Sequence, residues 1–197
     1  MRPKITVTKR KLNKNMEKLI RKAEKDLNLE ASKQLDLVST SMIIALYRYW
    51  NYRTDRISKI LFTQESVWND CGADNTLSML KLCDEECDIE LTNYEGVSYR
   101  DVIYLNAEID TGKPLSDAQW LVMRQNQKKW VKAQMLACMC VAMHRAEGWG
   151  FKRLSELMLK MDDIQAEYND DPDKLSDVAL KECGYDWRGI NQEKKVG

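Results

Sequence analysis

Few side chains in this sequence have the type and spacing that catalysis requires. The 197 residues include a single histidine, His144, which follows the apolar residues Ala142 and Met143. A Ser/His/Asp mechanism would depend on this one imidazole, whereas its neighbours favour a packed or surface histidine within a helix. Acid–base catalysis needs a carboxyl with a raised pKa and therefore burial, but the acidic residues occur in polar runs. The sequence therefore predicts a protein that is not an enzyme, with no catalytic residues.

Metal ligands and phosphate-binding loops are poorly represented as well. Cys83 and Cys87 lie one helical turn apart and Cys138 and Cys140 form a CxC pair, but only His144 could supplement them. A zinc site normally needs four such ligands. Neither GxxxxGK nor GxGxxG occurs in the sequence. We therefore expect no metal and no cofactor. We also expect reduced thiols, because the chain has neither a secretion signal nor the length of a small disulfide scaffold.

Charge is distributed unevenly along the chain, although basic and acidic residues balance at 31 each. Residues 1–25 hold ten basic and two acidic side chains, whereas residues 65–90 and 162–186 are strongly acidic. Such asymmetry allows opposite faces to bind different partners. The basic N-terminal segment indicates attraction to a nucleic acid or to a complex loaded with one. Solvated helix faces would produce the same charge pattern.

The candidate binding residues form a basic set and an acidic set. Basic side chains beside a helix start suit phosphate contacts, because helix N-termini also attract anions. The basic set comprises Lys9, Arg10, Lys11, Lys14, Arg48, Arg53, Arg56, Lys59, Arg145, Lys152 and Arg153. The acidic set could occupy a basic surface in place of phosphate, and it comprises Asp84, Glu85, Glu86, Asp162 and Asp163. Aromatic residues between 47 and 52 fit either a core or an interface.

The elements that position these residues are predicted to be helices. Eight glycines and three prolines are too few for the many tight turns of an all-β protein. Apolar residues recur at helical spacing in 12–28, 35–49 and 117–147. Ser116 and Gln119 fit a capping box at the start of the last of these segments, and Gly184 is placed as a C-cap. Alternation in residues 88–92 is compatible with a short strand.

An internal repeat organises the predicted helices. Ala45-Leu-Tyr-Arg48 reappears 97 residues later as Ala142-Met-His-Arg145, and Leu77-Ser78 reappears at an offset of 98 as Leu175-Ser176. Each copy predicts a long helix, a tight turn, a short helix and a third helix. The predicted fold class is therefore all-α, with two tandem homologous helical units preceded by a basic N-terminal helix. The predicted divisions are a basic arm and helix at 1–30, repeat 1 at 31–91, a connector at 92–116, repeat 2 at 117–188 and a tail at 189–197.

Two stretches of the sequence resemble known proteins. Met143-His-Arg-Ala-Glu-Gly-Trp-Gly-Phe-Lys-Arg-Leu154 resembles a segment common in small proteins of Firmicutes phages and integrated elements. Lys9-Arg-Lys-Leu-Asn-Lys-Asn-Met-Glu-Lys-Leu-Ile20, followed by Leu37-Val-Ser-Thr-Ser-Met-Ile-Ile-Ala-Leu-Tyr-Arg48, is similar to a type II-A anti-CRISPR, a phage-borne inhibitor of Cas9. This resemblance does not assign a functional role to any particular residue of the chain. It implies a non-enzymatic inhibitor in the cytoplasm of a bacterial host, which binds Cas9 with its guide RNA and blocks productive engagement of target DNA.

The helix pattern leaves a second function open. The break between the long and the short helix of each copy has the length of a helix-turn-helix step. This predicts a phage DNA-binding protein, either a regulator or a packaging accessory, that binds duplex DNA without Cas9. No membrane partner is expected, because no apolar run reaches the ~18–20 residues of a membrane helix. The oligomeric state does not follow from the sequence.

Overall fold

The structure, a computed structural model, describes residues 14–71, 76–100 and 116–187, without the side chain of Lys14. Within these ranges the regular elements are α-helices, and no strand is formed. Their bounds are α1 Lys14–Trp50, α2 Thr54–Cys71, α3 Thr76–Cys87, α4 Asp117–Glu147, α5 Phe151–Glu167 and α6 Pro172–Cys183. The all-α fold class predicted from the sequence is thereby confirmed. No helix in the described ranges is long and apolar enough to cross a membrane.

Local sequence signals account for several helix ends. Ser116 caps α4 in a capping box, in which its side chain accepts from the Gln119 backbone N–H and the Gln119 side chain accepts from the Ser116 backbone N–H. The chain leaves α4 and α6 through Gly148 and Gly184, both with a φ of 67°. This left-handed conformation costs a residue with a Cβ more than it costs glycine. The capping box and the Gly184 cap are as the sequence predicts.

One prediction about local structure is wrong, and one possibility that the sequence leaves open is not realised. The segments 12–28 and 35–49 were expected to be separate helices, but α1 runs without a break from Lys14 to Trp50, so the predicted boundary at residue 30 lies inside a helix. The reason is that residues 29–34 contain neither glycine nor proline, and most of them are good helix formers. Residues 88–92 form no strand, because only the isolated antiparallel bridge between Thr92 and Ser98 is present there.

The two long helices, α1 and α4, lie side by side and run parallel. Their C-terminal ends meet where the ring centroids of Trp50 and Trp149 are 5.1 Å apart. Their N-terminal halves also face one another, since Lys22 of α1 and Lys128 of α4 line the same cleft. The most extensive helix–helix contact in the described ranges is this α1–α4 pair, and it forms the centre of the fold.

The shorter helices pack reciprocally on this pair. α2 and α3 follow α1 in the chain but pack against α4, whereas α5 and α6 follow α4 but pack against α1. The order and lengths of the helices also correspond, with 37, 18 and 12 residues in α1–α3 and 31, 17 and 12 in α4–α6. This arrangement approximates a twofold relation. The homology of the two units stays a prediction.

The third helices of the two units, α3 and α6, match in the structure at a different sequence offset from the predicted one. The predicted offset of 98 pairs Leu77 with Leu175, but Leu77 is half-buried and Leu175 is fully buried. An offset of 96 instead matches four pairs of buried residues and the two glutamates that accept from Arg145 and Arg48. The matched pairs are Met79 with Leu175, Leu80 with Ser176, Cys83 with Ala179, Glu86 with Glu182, and Cys87 with Cys183.

The α1–α4 pair divides into a closed half and an open half. The closed half, residues 35–50 and 133–147, is covered by the shorter helices, and every residue from Leu37 to Leu46 is buried. The open half comprises residues 15–34 and 117–132. Its buried side chains are Leu27, Trp130 and Val131. Folding therefore buries one end of the helix pair and leaves the other largely in contact with solvent.

Candidate functional site

His144 has a structural contact near the end of α4. Its Nδ1 atom lies 2.9 Å from the carbonyl oxygen of Trp149, and its own carbonyl accepts from the Gly148 N–H at 2.8 Å. Both contacts hold the turn that follows α4. Across the described ranges, His, Cys, Asp and Glu side chains nowhere gather in a group of three that could hold a metal ion.

The six cysteines are free thiols, and all but the half-buried Cys71 lie in the core. Burial raises the pKa of Cys138 to about 12. A hydrogen bond with Cys140 is the largest cause that raises the pKa of Cys83, and a hydrogen bond with Cys83 does the same for Cys87. A thiol with a raised pKa holds little of the nucleophilic thiolate at neutral pH. These side chains therefore serve as small apolar residues.

Arg48 and Arg145, predicted to bind a partner, instead join the two halves of the chain. Arg48 donates to Glu182 of α6 at 2.9 Å and to Glu167 at the end of α5 at 3.0 Å. Arg145 occupies the matching place on α4 and donates to Glu86 of α3 at 2.7 Å. This contact lowers the pKa of Glu86, against the opposing effect of burial. The pairs fix the third helices on the long helix of the other unit.

Arg56 makes a third internal contact, at the turn between α1 and α2. Its Nε donates to the Glu147 carboxylate at 3.0 Å, and its guanidinium lies 3.9 Å from the centroid of the Tyr52 ring. Glu147 also accepts from the Tyr52 hydroxyl at 3.1 Å, and its side chain is only 7% exposed. The Arg56 hydrogen bond lowers the pKa of Glu147. Phosphate binding by Arg56 would therefore leave a buried carboxylate without its cation.

The other basic residues of the turns remain exposed at the closed end. Arg53 lies over the Tyr47 ring at 4.9 Å and Arg153 over the Trp149 ring at 5.7 Å. Lys59 and Lys152 form no ion pair with any described residue. Lys9, Arg10 and Lys11 lie outside the described residues, and of Lys14 only the backbone is described.

The acidic set is only partly available to a partner. Asp84 accepts from Arg100 at 2.7 Å and from Tyr99 at 2.6 Å, which lowers its pKa, and Glu86 is held by Arg145. Three residues are exposed and have looser contacts with single lysines. These are Glu85 at 3.5 Å from Lys81, Asp162 at 3.6 Å from Lys132, and Asp163 at 3.5 Å from Lys160.

The structure divides the charges between two regions of the fold. The open half carries nine basic and five acidic side chains. The remaining described residues, 35–71, 76–100 and 133–187, carry 12 basic and 21 acidic side chains and are called the acidic body here. The predicted basic set leaves out the contribution of α4 to this surface, although Arg124, Lys128, Lys129 and Lys132 recur at helical spacing.

α2 does not pack as the second helix of a helix-turn-helix would. In a helix-turn-helix the second helix packs on the first, which lets it be presented to the major groove. Here α2 turns away from α1 and packs on α4. The turn itself lies against the other unit, with the Tyr52 ring 6.0 Å from that of Trp149. The length of the turn is thus as predicted, but the packing differs from that of a helix-turn-helix.

No protein-family model matches this chain, and no curated protein or solved structure matches it.

Proposed function

We propose that the protein is a non-enzymatic inhibitor of Cas9 that acts in the bacterial cytoplasm by binding the Cas9–guide RNA complex. The separation between a basic open half and an acidic body is the observation that carries this proposal. A guide-loaded Cas9 offers complementary surfaces to both, because it combines a positively charged channel with the phosphates of its RNA. The sequence resemblance to a type II-A anti-CRISPR supplies the identity of the partner.

The roles of the two regions follow from their charges. Asp162 and Asp163 are exposed on α5, and their lysine contacts are longer than 3.4 Å, so they are available to a basic protein surface. Basic side chains of the open half suit the guide-RNA backbone. Binding in this way would occupy the channel that target DNA must enter.

A binding and cleavage assay with defined components tests the proposal. The protein is mixed with Cas9, with and without guide RNA, and both association and cleavage of a target duplex are measured. We expect association with the loaded complex and loss of cleavage. No association, together with undiminished cleavage at excess protein, would overturn the proposal. Binding of duplex DNA by the protein alone, without an effect on Cas9, would favour the alternative of a phage DNA-binding protein.

A pair of variants tests the role of the acidic body. Asp162→Asn with Asp163→Asn removes two exposed charges from α5, and the control Asp55→Asn with Asp88→Asn removes the same number from exposed sites outside α5. If Asp162 and Asp163 lie in the interface, removal of their two charges should lower the inhibitory potency about tenfold. Equal potency of both double variants would exclude the α5 surface from the interface.

A further inference from the structure

A cleft of about 630 Å³ lies between α1 and α4 in the open half. Five basic side chains line it, and the two carboxylates among its lining residues, Asp26 and Glu30, both belong to α1. The basic residues are Lys22, Arg124, Lys128, Lys129 and Lys132. Its size lies within the ~300–1,000 Å³ typical of ligand sites, and the excess of basic groups favours an anion.

Some of these cations are already engaged and others are available. Lys129 lies 2.9 Å from Glu95, and Lys132 lies 3.6 Å from Asp162. Lys22 and Lys128 are exposed, and neither forms an ion pair with another described residue. They stand on opposite helices across the cleft. A chain with regularly spaced negative charges could therefore contact both walls.

An aromatic ring distinguishes this cleft from a simple basic patch. Tyr94, in the segment after α3, lines the cleft with 75% of its surface exposed. The ring is therefore accessible from the cleft. Single-stranded nucleic acid presents unpaired bases that stack on such rings while its phosphates contact lysines. A duplex hides those faces, and an acidic peptide has no base to stack.

We propose that this cleft binds a short segment of single-stranded nucleic acid, with phosphates against Lys22 and Lys128 and a base on Tyr94. The site goes beyond the proposed function, because it would bind nucleic acid whether or not Cas9 is the partner. It also differs from the basic residues of the helix turns, which lie at the opposite end of the helix pair.

Fluorescence anisotropy with the full chain tests this site. The probe is a labelled oligothymidylate of about 12 nucleotides, titrated between about 50 and 200 mM salt. Lys22→Gln with Lys128→Gln should weaken binding and lower the slope of log affinity against log salt by about 1.4, or ~0.7 for each lost contact. The matched control, Lys81→Gln with Lys181→Gln, removes two exposed lysines of α3 and α6 that do not line the cleft, and it should leave the slope unchanged. Thermal melting verifies that both variants are folded.

Tyr94→Ala separates base stacking from charge. Loss of one stacked base should weaken oligothymidylate binding about fivefold or more, without a change in the salt slope. Polyglutamate and a duplex of equal length serve as competitors. The proposal is overturned if the oligonucleotide does not bind at low salt, if the control pair weakens binding as much as the cleft pair, or if Tyr94→Ala has no effect. Equal competition by polyglutamate or duplex would assign the cleft to a different anion. Inhibition of Cas9 is measured separately, so failure of one proposal does not decide the other.

Discussion

The closed and open halves belong to the same two helices, yet they differ in burial and in charge. In the closed half four shorter helices cover α1 and α4, and side chains such as Ile44 and Met139 are fully buried. In the open half apolar side chains remain at the surface, including Leu29 at 71% exposure and Val122 at 54%. Both halves are helical, but far more apolar side chains are buried in the closed half than in the open half. The closed half supplies the hydrophobic free energy, and the open half is free to carry charge.

The largest difference should appear when equivalent truncations are made in the two halves. Met139→Ala removes a fully buried side chain from α4 and should lower the free energy of unfolding by about 2–5 kcal/mol. Val122→Ala lies on the same helix in the open half and should change it by less than about 0.5 kcal/mol. Urea denaturation of both variants measures the contrast. Similar losses would show that the open half is packed in solution.

Substitution of Arg56, at the closed end, should have an intermediate effect on the free energy of unfolding. Arg56→Met leaves the Glu147 carboxylate, 7% exposed, with the Tyr52 hydroxyl as its remaining hydrogen-bond donor among the described residues. Loss of a charge-assisted hydrogen bond to a largely buried carboxylate costs about 1–3 kcal/mol. Lys152→Met is the control, because that exposed side chain makes no ion pair with the described residues. If both substitutions change the unfolding free energy equally, the internal contact of Arg56 contributes nothing beyond its packing.

The smallest effect concerns the pH dependence of stability. Arg145 holds the pKa of Glu86 below its ordinary value of 4.5. A carboxyl with a depressed folded-state pKa stabilises the protein above its unfolded pKa, and this contribution is lost as the pH falls through the folded pKa. Arg145→Met should therefore reduce the loss of stability between neutral pH and about pH 3, by less than ~1 kcal/mol because the pair is partly exposed. Unfolding free energies at both pH values provide the test, and an unchanged difference would contradict it.

The sequence predicts local structure better than it predicts the partners of charged side chains. The capping box at Ser116 and the left-handed Gly184 depend on neighbouring residues, so their patterns are visible in the sequence. The partners of Arg48 and Arg145 lie 134 and 59 residues away, at Glu182 and Glu86. No local pattern distinguishes such an arginine from one that is free to bind phosphate.

The basic cleft could be predicted only in part for the same reason. Lys22 and Lys128 are each recognisable as polar positions on an amphipathic helix. That they face one another depends on the parallel alignment of α1 and α4, which is fixed by burial along the closed half. Tyr94 joins them from the segment after α3, whose sequence indicated neither a helix nor a firm strand.

The reciprocal packing of the short helices also constrains how the chain acquires its structure during synthesis. When the ribosome has made residues 1–100, the apolar faces of α2 and α3 have no surface to cover, since their partner α4 begins at Asp117. The native contacts of both units span long stretches of sequence, a topology associated with slow folding. We therefore expect the nascent N-terminal unit to remain protease-sensitive until α4 emerges, and the last two helices to complete the fold by closing over α1.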